Sequence, residues 1–238
     1  MLTWRELITT LFRFLKLSSA IIFHRKLVFM FFGIAIYYGI LYAVAIFRPN
    51  EGFSVEQALH ILVEAPGTVL AIYLTMDLVA GERDKDTLEI LFSTATSHYT
   101  TWGIRVVAVL CVLFLSIMSM STLAYFLFAE FPFGWGGLNA FFPAYFIACL
   151  TFLFSVFCRS GNAAAMLALG ILVIILVTAD TLSGTSYFLF LNPMSPPGTV
   201  DEDVWLERAI YNRAAIVVMG ALFVYFALRR MVFREKIL

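Results

Sequence analysis

Long apolar stretches alternate with short charged segments along this chain, and the lengths of the apolar stretches predict its fold. A helix that crosses a bilayer needs about 20 mostly apolar residues. Apart from residues at the very ends of the stretches, two of them carry ionisable residues, Glu64 and Asp77 in one and Arg213 in the other, which must lie near a span end or face protein. We expect an all-α integral membrane protein with six spans at about residues 27–47, 60–80, 104–129, 138–158, 161–181 and 209–229.

Composition agrees with a membrane location. The 238 residues are 62% hydrophobic and 13% charged, and their mean hydropathy is +0.92. Soluble domains are typically about half apolar and about a quarter charged. The formal net charge is zero, which argues against a nucleic-acid partner. No internal repeat and no low-complexity linker divides the chain, so residues 1–238 form one predicted domain.

The distribution of Lys and Arg predicts how the spans are oriented. With six spans, both termini lie on the same side of the membrane. Thirteen of the 16 basic residues fall on that side, and only Arg48, Arg208 and Arg213 fall on the other. Cytoplasmic segments carry the excess of Lys and Arg, so both termini are predicted to be cytoplasmic, in a cell (inner) membrane.

Two segments outside the spans have patterns of their own. Apolar residues recur at helical spacing over residues 3–24, with basic residues elsewhere on the wheel, which predicts an amphipathic helix lying in the inner interface. Near the other face, residues 187–191 are apolar and precede a proline-rich stretch. We expect short outer re-entrant helices before the last span, followed by an acidic outer helix at about 201–208; a simple solvent loop is the alternative.

The loop between the second and third spans contains a short helix pattern. Asp86 and Glu89 have the spacing of a capping box with an acidic N-cap. Leu88, Leu91 and Phe92 follow at i, i+3 and i+4 and form one apolar face. The pattern predicts an amphipathic helix of about two turns that lies along the membrane surface.

This loop resembles the coupling-helix region of ABC-2 type transporter permeases. In that family the loop begins Glu-Arg and continues through Thr-Leu-Glu, as do Glu82-Arg83 and Thr87-Leu88-Glu89 here. Arg105 stands where the family has a basic residue at the next span. Asp86 and Ala95 stand where the family often has Gly and Pro. Together with the six spans and the interfacial helix, the resemblance covers nearly the whole chain.

The resemblance implies a permease subunit of an ATP-driven transporter, with export as the expected direction. A separate nucleotide-binding subunit would carry ATP and Mg, because this chain has no phosphate-binding Gly-x-x-x-x-Gly-Lys-[Ser/Thr] loop and by itself is not expected to be an enzyme. A second permease subunit is also implied, with its interface near spans one and five. The residues implied to couple to the ATPase are Glu82, Arg83, Asp86, Thr87, Leu88, Glu89, Leu91 and Phe92.

Four residues within the spans are candidates for a translocation path. Glu64 precedes a kink predicted at Pro66-Gly67, and Asp77 lies about one turn from the inner loop. Tyr38 and Tyr42 belong to an aromatic cluster in the first span. Structural ion pairs for the acids and ordinary packing for the tyrosines are the alternatives. No metal ion or cofactor is expected in this chain.

Two other functions compete with the permease. An ATP-independent secondary transporter or channel would favour internal repeats and broken mid-membrane helices, which the sequence shows only weakly. An intramembrane enzyme is less favoured, because the chain lacks HExxH and GxSxG motifs. Glu64 and Asp77 are also about 220° apart around a helix and do not share a face.

Overall fold

The computed structural model describes residues 28–47, 55–83, 98–158, 160–182, 184–194, 196 and 200–234, and its regular structure there is helical, without a strand. The main helices, in chain order, are α1 (Val28–Phe47), a π-helical segment (Ala58–Glu64), α2 (Ala65–Thr75), α3 (Asp77–Arg83), α4 (His98–Leu127), α5 (Phe133–Phe157), α6 (Gly161–Val177), α7 (Ala179–Leu182) and α8 (Glu202–Arg234). A three-residue helical turn, Val55–Gln57, precedes the π segment.

Five of these helical stretches are long and apolar enough to cross a membrane. They are Val28–Phe47, Ala58–Ala80, Trp102–Leu127, Phe133–Phe157 and Glu202–Met231. Each agrees in position with a predicted span, and together they are compatible with a multi-pass membrane protein. The sixth predicted span, 161–181, corresponds to α6, whose 17 residues lie at the lower limit for crossing. The count of six therefore stays a prediction.

Helix α5 lies at the centre of the bundle and contacts α2, α4, α6 and α8. Ala140, Ala144 and Ala148 follow one another at four-residue spacing and are fully buried or nearly so. Small side chains at this spacing allow neighbouring helices to approach closely, which is how membrane helices gain packing energy in the absence of a hydrophobic driving force. Helices α1 and α8 lie at the periphery and expose many large apolar side chains.

The segment before the last span differs from the prediction. Residues 184–190 form turns and bends, not a re-entrant helix. The separate acidic outer helix does not form either, because α8 runs without a break from Glu202 to Arg234. Both differences have physical reasons. The turn backbone is held by side chains of α8, and the stretch 202–234 contains no proline and no run of turn residues that would end a helix.

Other predictions are affected by the described range. The interfacial helix at 3–24 and the coupling helix with Asp86, Thr87, Leu88, Glu89, Leu91 and Phe92 lie outside the described residues.

Helices α4 and α5 begin at His98 and Phe133, earlier than the expected 104 and 138. Ser121 Oγ donates a hydrogen bond to Phe133 O at 2.6 Å, so a contact with α4 holds the first residue of α5.

Candidate functional site

The second membrane helix carries both acidic candidates, and it is interrupted twice. The first interruption is the π segment, which ends at Glu64 and is followed by Pro66. The second is a single residue, Met76, which keeps α-helical backbone angles and donates its N–H to Ile72 O; α3 starts at Asp77. Single π-helical turns inside membrane-length helices occur frequently at functional sites. These two interruptions make the helix a segmented element, and each is stabilised by side chains from other helices.

Pro66 leaves backbone carbonyls without their usual donor. In α-helical geometry the N–H of residue 66 would bond the Leu62 carbonyl, and in π-helical geometry the Ile61 carbonyl. The π geometry persists up to Ala65, whose N–H bonds His60 O. Proline has no N–H, so neither carbonyl can be satisfied by residue 66. An unpaired backbone carbonyl within a membrane costs several kcal/mol, so both carbonyls need other donors.

Two adjacent tyrosines of α1 supply those donors. Tyr37 Oη donates to Ile61 O at 2.6 Å, and Tyr38 Oη donates to Leu62 O at 2.6 Å. Tyr38 Oη also lies 3.0 Å from Met120 O of α4. Tyr38 is only 4% exposed, so it joins three helices at the Pro66 interruption. This position gives Tyr38 a packing role at the interruption, and its place in a translocation path stays a prediction.

Tyr42 lies one helical turn farther along α1 and has a different environment. Its side chain is 46% exposed, and its ring contacts Phe128 edge-to-face, with centroids 6.4 Å apart. Glu64 and Asp77 are separated by 13 residues, or about 20 Å along a helix. The four path candidates therefore do not form one site: Glu64 and Asp77 belong to different ends of the second membrane helix.

At one end, Glu64 belongs to a buried charged cluster. Glu64 is 6% exposed, and its Oε2 lies 3.0 Å from His60 Nδ1. Arg213 of α8 is 9% exposed and is attracted electrostatically by Glu64. The guanidinium of Arg213 also lies over the Phe142 ring, with Cζ 5.2 Å from its centroid. Arg213 is therefore held inside the bundle and does not extend outward to solvent.

The turns at 184–194 cover this cluster, because polar side chains of α8 bind their carbonyl oxygens. Arg213 Nη2 donates to Leu191 O at 2.7 Å. Asn212 Nδ2 donates to the carbonyl oxygens of Ser186 and Phe188 at 2.8 and 2.9 Å. Trp205 Nε1 donates to Asn192 O at 2.9 Å. Four backbone carbonyls of an irregular segment are satisfied in this way by side chains of α8.

At the other end, Asp77 and α3 contact the connection between α5 and α6. The first four N–H groups of a helix have no partner within it. Ser155 Oγ of α5 accepts two of these from α3, Val79 N at 3.2 Å and Ala80 N at 3.1 Å. The Asp77 carboxylate lies directly against Gly161, the first residue of α6, where the helix dipole favours negative charge. We call Asp77, Ser155 and Gly161 the inner junction.

The inner junction leads directly to the predicted coupling loop. Glu82 and Arg83 are the last two residues of α3, and α4 begins at His98. The residues between them lie outside the described range, so the coupling role of this loop stays a prediction. Ser155 had no signal in the sequence beyond being a polar residue in an apolar span. Asn212 had the same weak signal, next to Arg213.

Within the described part of the chain, no group of three or more His, Cys, Asp or Glu residues is arranged to hold a metal ion. Comparison of the chain with protein-family models, with curated proteins and with solved structures found no match. A functional proposal therefore rests on the residues of this chain, namely its loop motif and the two ends of its second membrane helix.

Proposed function

We propose that this chain is the membrane-spanning permease subunit of an ATP-driven ABC-2 type transporter, with export as its direction. The observation that carries the proposal is the link between the predicted coupling loop and the bundle. The loop with the Glu82-Arg83 and Thr87-Leu88-Glu89 motif directly follows α3, and α3 is attached to α5 and α6 through the inner junction.

This arrangement suits a loop that receives force from a soluble partner. A displacement of α3 acts on Ser155 and Gly161, because both are in direct contact with its first two turns. Met76 keeps α-helical geometry between α2 and α3, so a displacement of α3 is passed along the axis to α2. Farther along, the π segment and Pro66 provide a point of bending beside the charged cluster. Motion of the loop can thus reach both ends of the second membrane helix.

The proposal implies partners that this chain does not contain. ATP and Mg would be bound by a separate nucleotide-binding subunit. A second permease subunit, identical or different, would complete the path across the membrane. Helices α1 and α6 expose large apolar side chains, including Phe29 and Phe32 on α1 and Met166 and Val173 on α6. Such faces suit lipid or a second subunit, in agreement with an interface near spans one and five.

The test is co-purification of the chain with its ATPase from gently solubilised membranes. Leu88→Arg and Glu89→Arg should abolish recovery of a P-loop ATPase, since they reverse the apolar and acidic character of the predicted docking helix. Leu206→Arg and Glu207→Arg are matched controls, because they change an adjacent Leu-Glu pair that is exposed on α8 near the opposite face. The controls should retain the ATPase.

Two results would refute the proposal that this chain is a permease subunit. One is that no ATPase is recovered with the unmodified chain. The other is that the ATPase is recovered equally with the loop variants and the controls. Identification of a P-loop in the recovered protein, with ATP hydrolysis that falls in the loop variants, supports the proposal.

The charged cluster favours one alternative, an ATP-independent transporter. Ionisable groups inside a membrane cost about 2.5–3.5 kcal/mol each on insertion scales and often belong to proton or ion pathways. His60, Glu64 and Arg213 form such a group. The alternative predicts that the chain alone, in vesicles, moves protons or ions down a gradient, and that Glu64→Gln abolishes the flux. The permease proposal predicts no flux from the chain alone.

A further inference from the structure

A groove lies between α5 and α8 at the end of the bundle where both helices finish. Above it the two helices touch: the Gly220 backbone lies against the Tyr145 ring, where a Cβ atom would clash. The rings of Phe146 and Phe223 then contact each other at a centroid distance of 5.4 Å. Below this point the helices leave a groove of about 490 Å³. It is lined by Leu153, Phe157, Phe223, Phe226, Arg229 and Arg230.

The lining separates into an apolar part and a basic end. Leu153, Phe157, Phe223 and Phe226 provide aliphatic and aromatic surface, and Phe157 and Phe226 are each about half exposed. The residues from Phe223 to Arg230 extend about 10 Å along α8. The volume is within the range of small-ligand sites, about 300–1,000 Å³. An elongated apolar chain with a negatively charged end matches this pattern.

The two arginines suit a phosphate group. Arg230 Cζ lies 5.6 Å from the centroid of the Phe157 ring, which holds the guanidinium beside the groove. Stacking uses the face of a guanidinium, and its N–H groups lie in the plane, where they can bind phosphate oxygens in a bidentate manner. Arg229 lines the same end. Two more basic residues, Arg234 and Lys236, follow in the sequence and add to the positive charge of this terminus.

The predicted depth of the groove in the membrane suits the binding of a lipid. The Lys/Arg distribution predicts that the α8 C-terminus faces the cytoplasm, so the arginines lie at the inner interface. The negatively charged lipids of the cytoplasmic leaflet are attracted to basic residues at this depth, and basic pockets between membrane helices on that side bind lipid headgroups. The apolar part of the groove extends from the arginines toward the membrane centre, as an acyl chain does.

We propose that this groove binds an anionic phospholipid of the inner leaflet. Its phosphate contacts Arg229 and Arg230, and one acyl chain lies along Phe157, Phe223 and Phe226. The lipid fills the space between the ends of α5 and α8 and holds the two helices at their inner ends. This inference does not depend on the proposed transport function, because it uses the groove, its charge and the predicted orientation of the spans.

The test compares phosphatidylglycerol and phosphatidylcholine with the same acyl chains, by native mass spectrometry of the purified full chain. The unmodified chain should retain phosphatidylglycerol preferentially. An arginine at the interface contributes about fivefold to the affinity for an anionic lipid, so Arg229→Gln with Arg230→Gln should reduce the preference about thirtyfold. Replacement of both by Lys should keep most of it. Arg208→Gln, on the same helix near the opposite face, is the matched control and should keep all of it.

Three outcomes would overturn the proposal: equal retention of both lipids by the unmodified chain, an unchanged preference in the double Gln variant, or an equal loss in the Arg208 control. A photo-crosslinking residue placed at Phe226 distinguishes the occupants. A covalent adduct with the mass of phosphatidylglycerol supports the proposal. A crosslink to a second copy, or to residues 1–27 of the same chain, shows that protein fills the groove and overturns it.

Discussion

The two tyrosine hydrogen bonds at Pro66 lead to a quantitative prediction. Tyr38→Phe removes the hydroxyl that satisfies the Leu62 carbonyl and keeps the ring. A buried acceptor left without a partner costs about 1–3 kcal/mol in soluble proteins. Side-chain hydrogen bonds between membrane helices average about 0.6 kcal/mol and reach about 1.7 kcal/mol. Tyr38 and Leu62 are both buried, so we expect a loss near the upper membrane value, about 1.5 kcal/mol of unfolding free energy.

The neighbouring hydrogen bond, from Tyr37 to the Ile61 carbonyl, should contribute less to the unfolding free energy. Tyr37 donates to Ile61, whose residue is 37% exposed, so other donors have access to that carbonyl. Tyr37→Phe should therefore cost about 0.5 kcal/mol. Tyr42→Phe is the matched control on the same helix, because its ring packs against Phe128 outside the Pro66 region. It should change the unfolding free energy by less than about 0.5 kcal/mol.

A double-mutant cycle tests the explanation itself. Pro66→Ala restores an N–H, which can bond Leu62 O in α geometry or Ile61 O in π geometry. If the new N–H bonds Leu62 O, Tyr38→Phe should cost about 1 kcal/mol less than it does in the unmodified chain. If the new N–H bonds Ile61 O, Tyr37→Phe should cost nearly nothing. The measurement is reversible unfolding in mixed micelles titrated with dodecyl sulfate, followed by circular dichroism and tryptophan fluorescence.

The reasoning is refuted if both cycles are additive. Coupling energies below about 0.3 kcal/mol for Tyr37 and for Tyr38 with Pro66→Ala would show that the tyrosines do not replace the missing proline donor. A Tyr38→Phe variant as stable as the unmodified chain would lead to the same conclusion. The interhelical bond to Met120 is lost in both backgrounds and cancels in the cycle.

Three further predictions concern the two ends of the second membrane helix and use the same unfolding assay. Gly161→Ala places a methyl group against the Asp77 carboxylate and should destabilise the fold by about 1–3 kcal/mol; stability equal to the unmodified chain would contradict the contact. Ser155→Ala leaves two N–H groups of α3 without an acceptor and should cost about 1–3 kcal/mol, with Ser155→Thr as the control that keeps the hydroxyl. Arg213→Leu removes the donor to the Leu191 carbonyl and a positive charge that attracts Glu64, and should cost about 1–3 kcal/mol; Glu64→Gln in the same chain should recover part of that loss, and the absence of recovery would show that the two residues do not interact.

Several features of the fold follow from local pattern. An apolar stretch of about 20 residues has few choices within a bilayer, since its backbone must bond to itself, and this is why five predicted spans agree with membrane-length helices. The turns at 184–190 were predicted wrongly as helix for the complementary reason. The carbonyls of Ser186, Phe188 and the adjacent Leu191 accept hydrogen bonds from Asn212 and Arg213, which are more than 20 residues away in sequence, so no local pattern predicts these turns.

The candidate site divides in the same way. A proline in an apolar span predicts an interrupted helix, and an acidic residue within a span predicts a polar or charged partner. Pro66, Glu64 and Asp77 could therefore be selected from the sequence. The identity of each partner depends on which helices are neighbours. Aromatic residues in a span have many uses, so the sequence leaves Tyr38 open between a path and packing, and its burial against α4 and the π segment reveals its hydrogen bonds.

Hydropathy, charge and residue spacing within single segments are enough to predict a multi-pass membrane protein, its approximate spans and the loop motif that suggests an ATPase partner. The packing of the helices was needed to identify the donors to the carbonyls beside Pro66, the partner of Arg213 at Leu191 O, and the contacts of α3 with Ser155 and Gly161. Those contacts join residues distant in sequence, and their geometry is set by packing between helices that no single segment encodes.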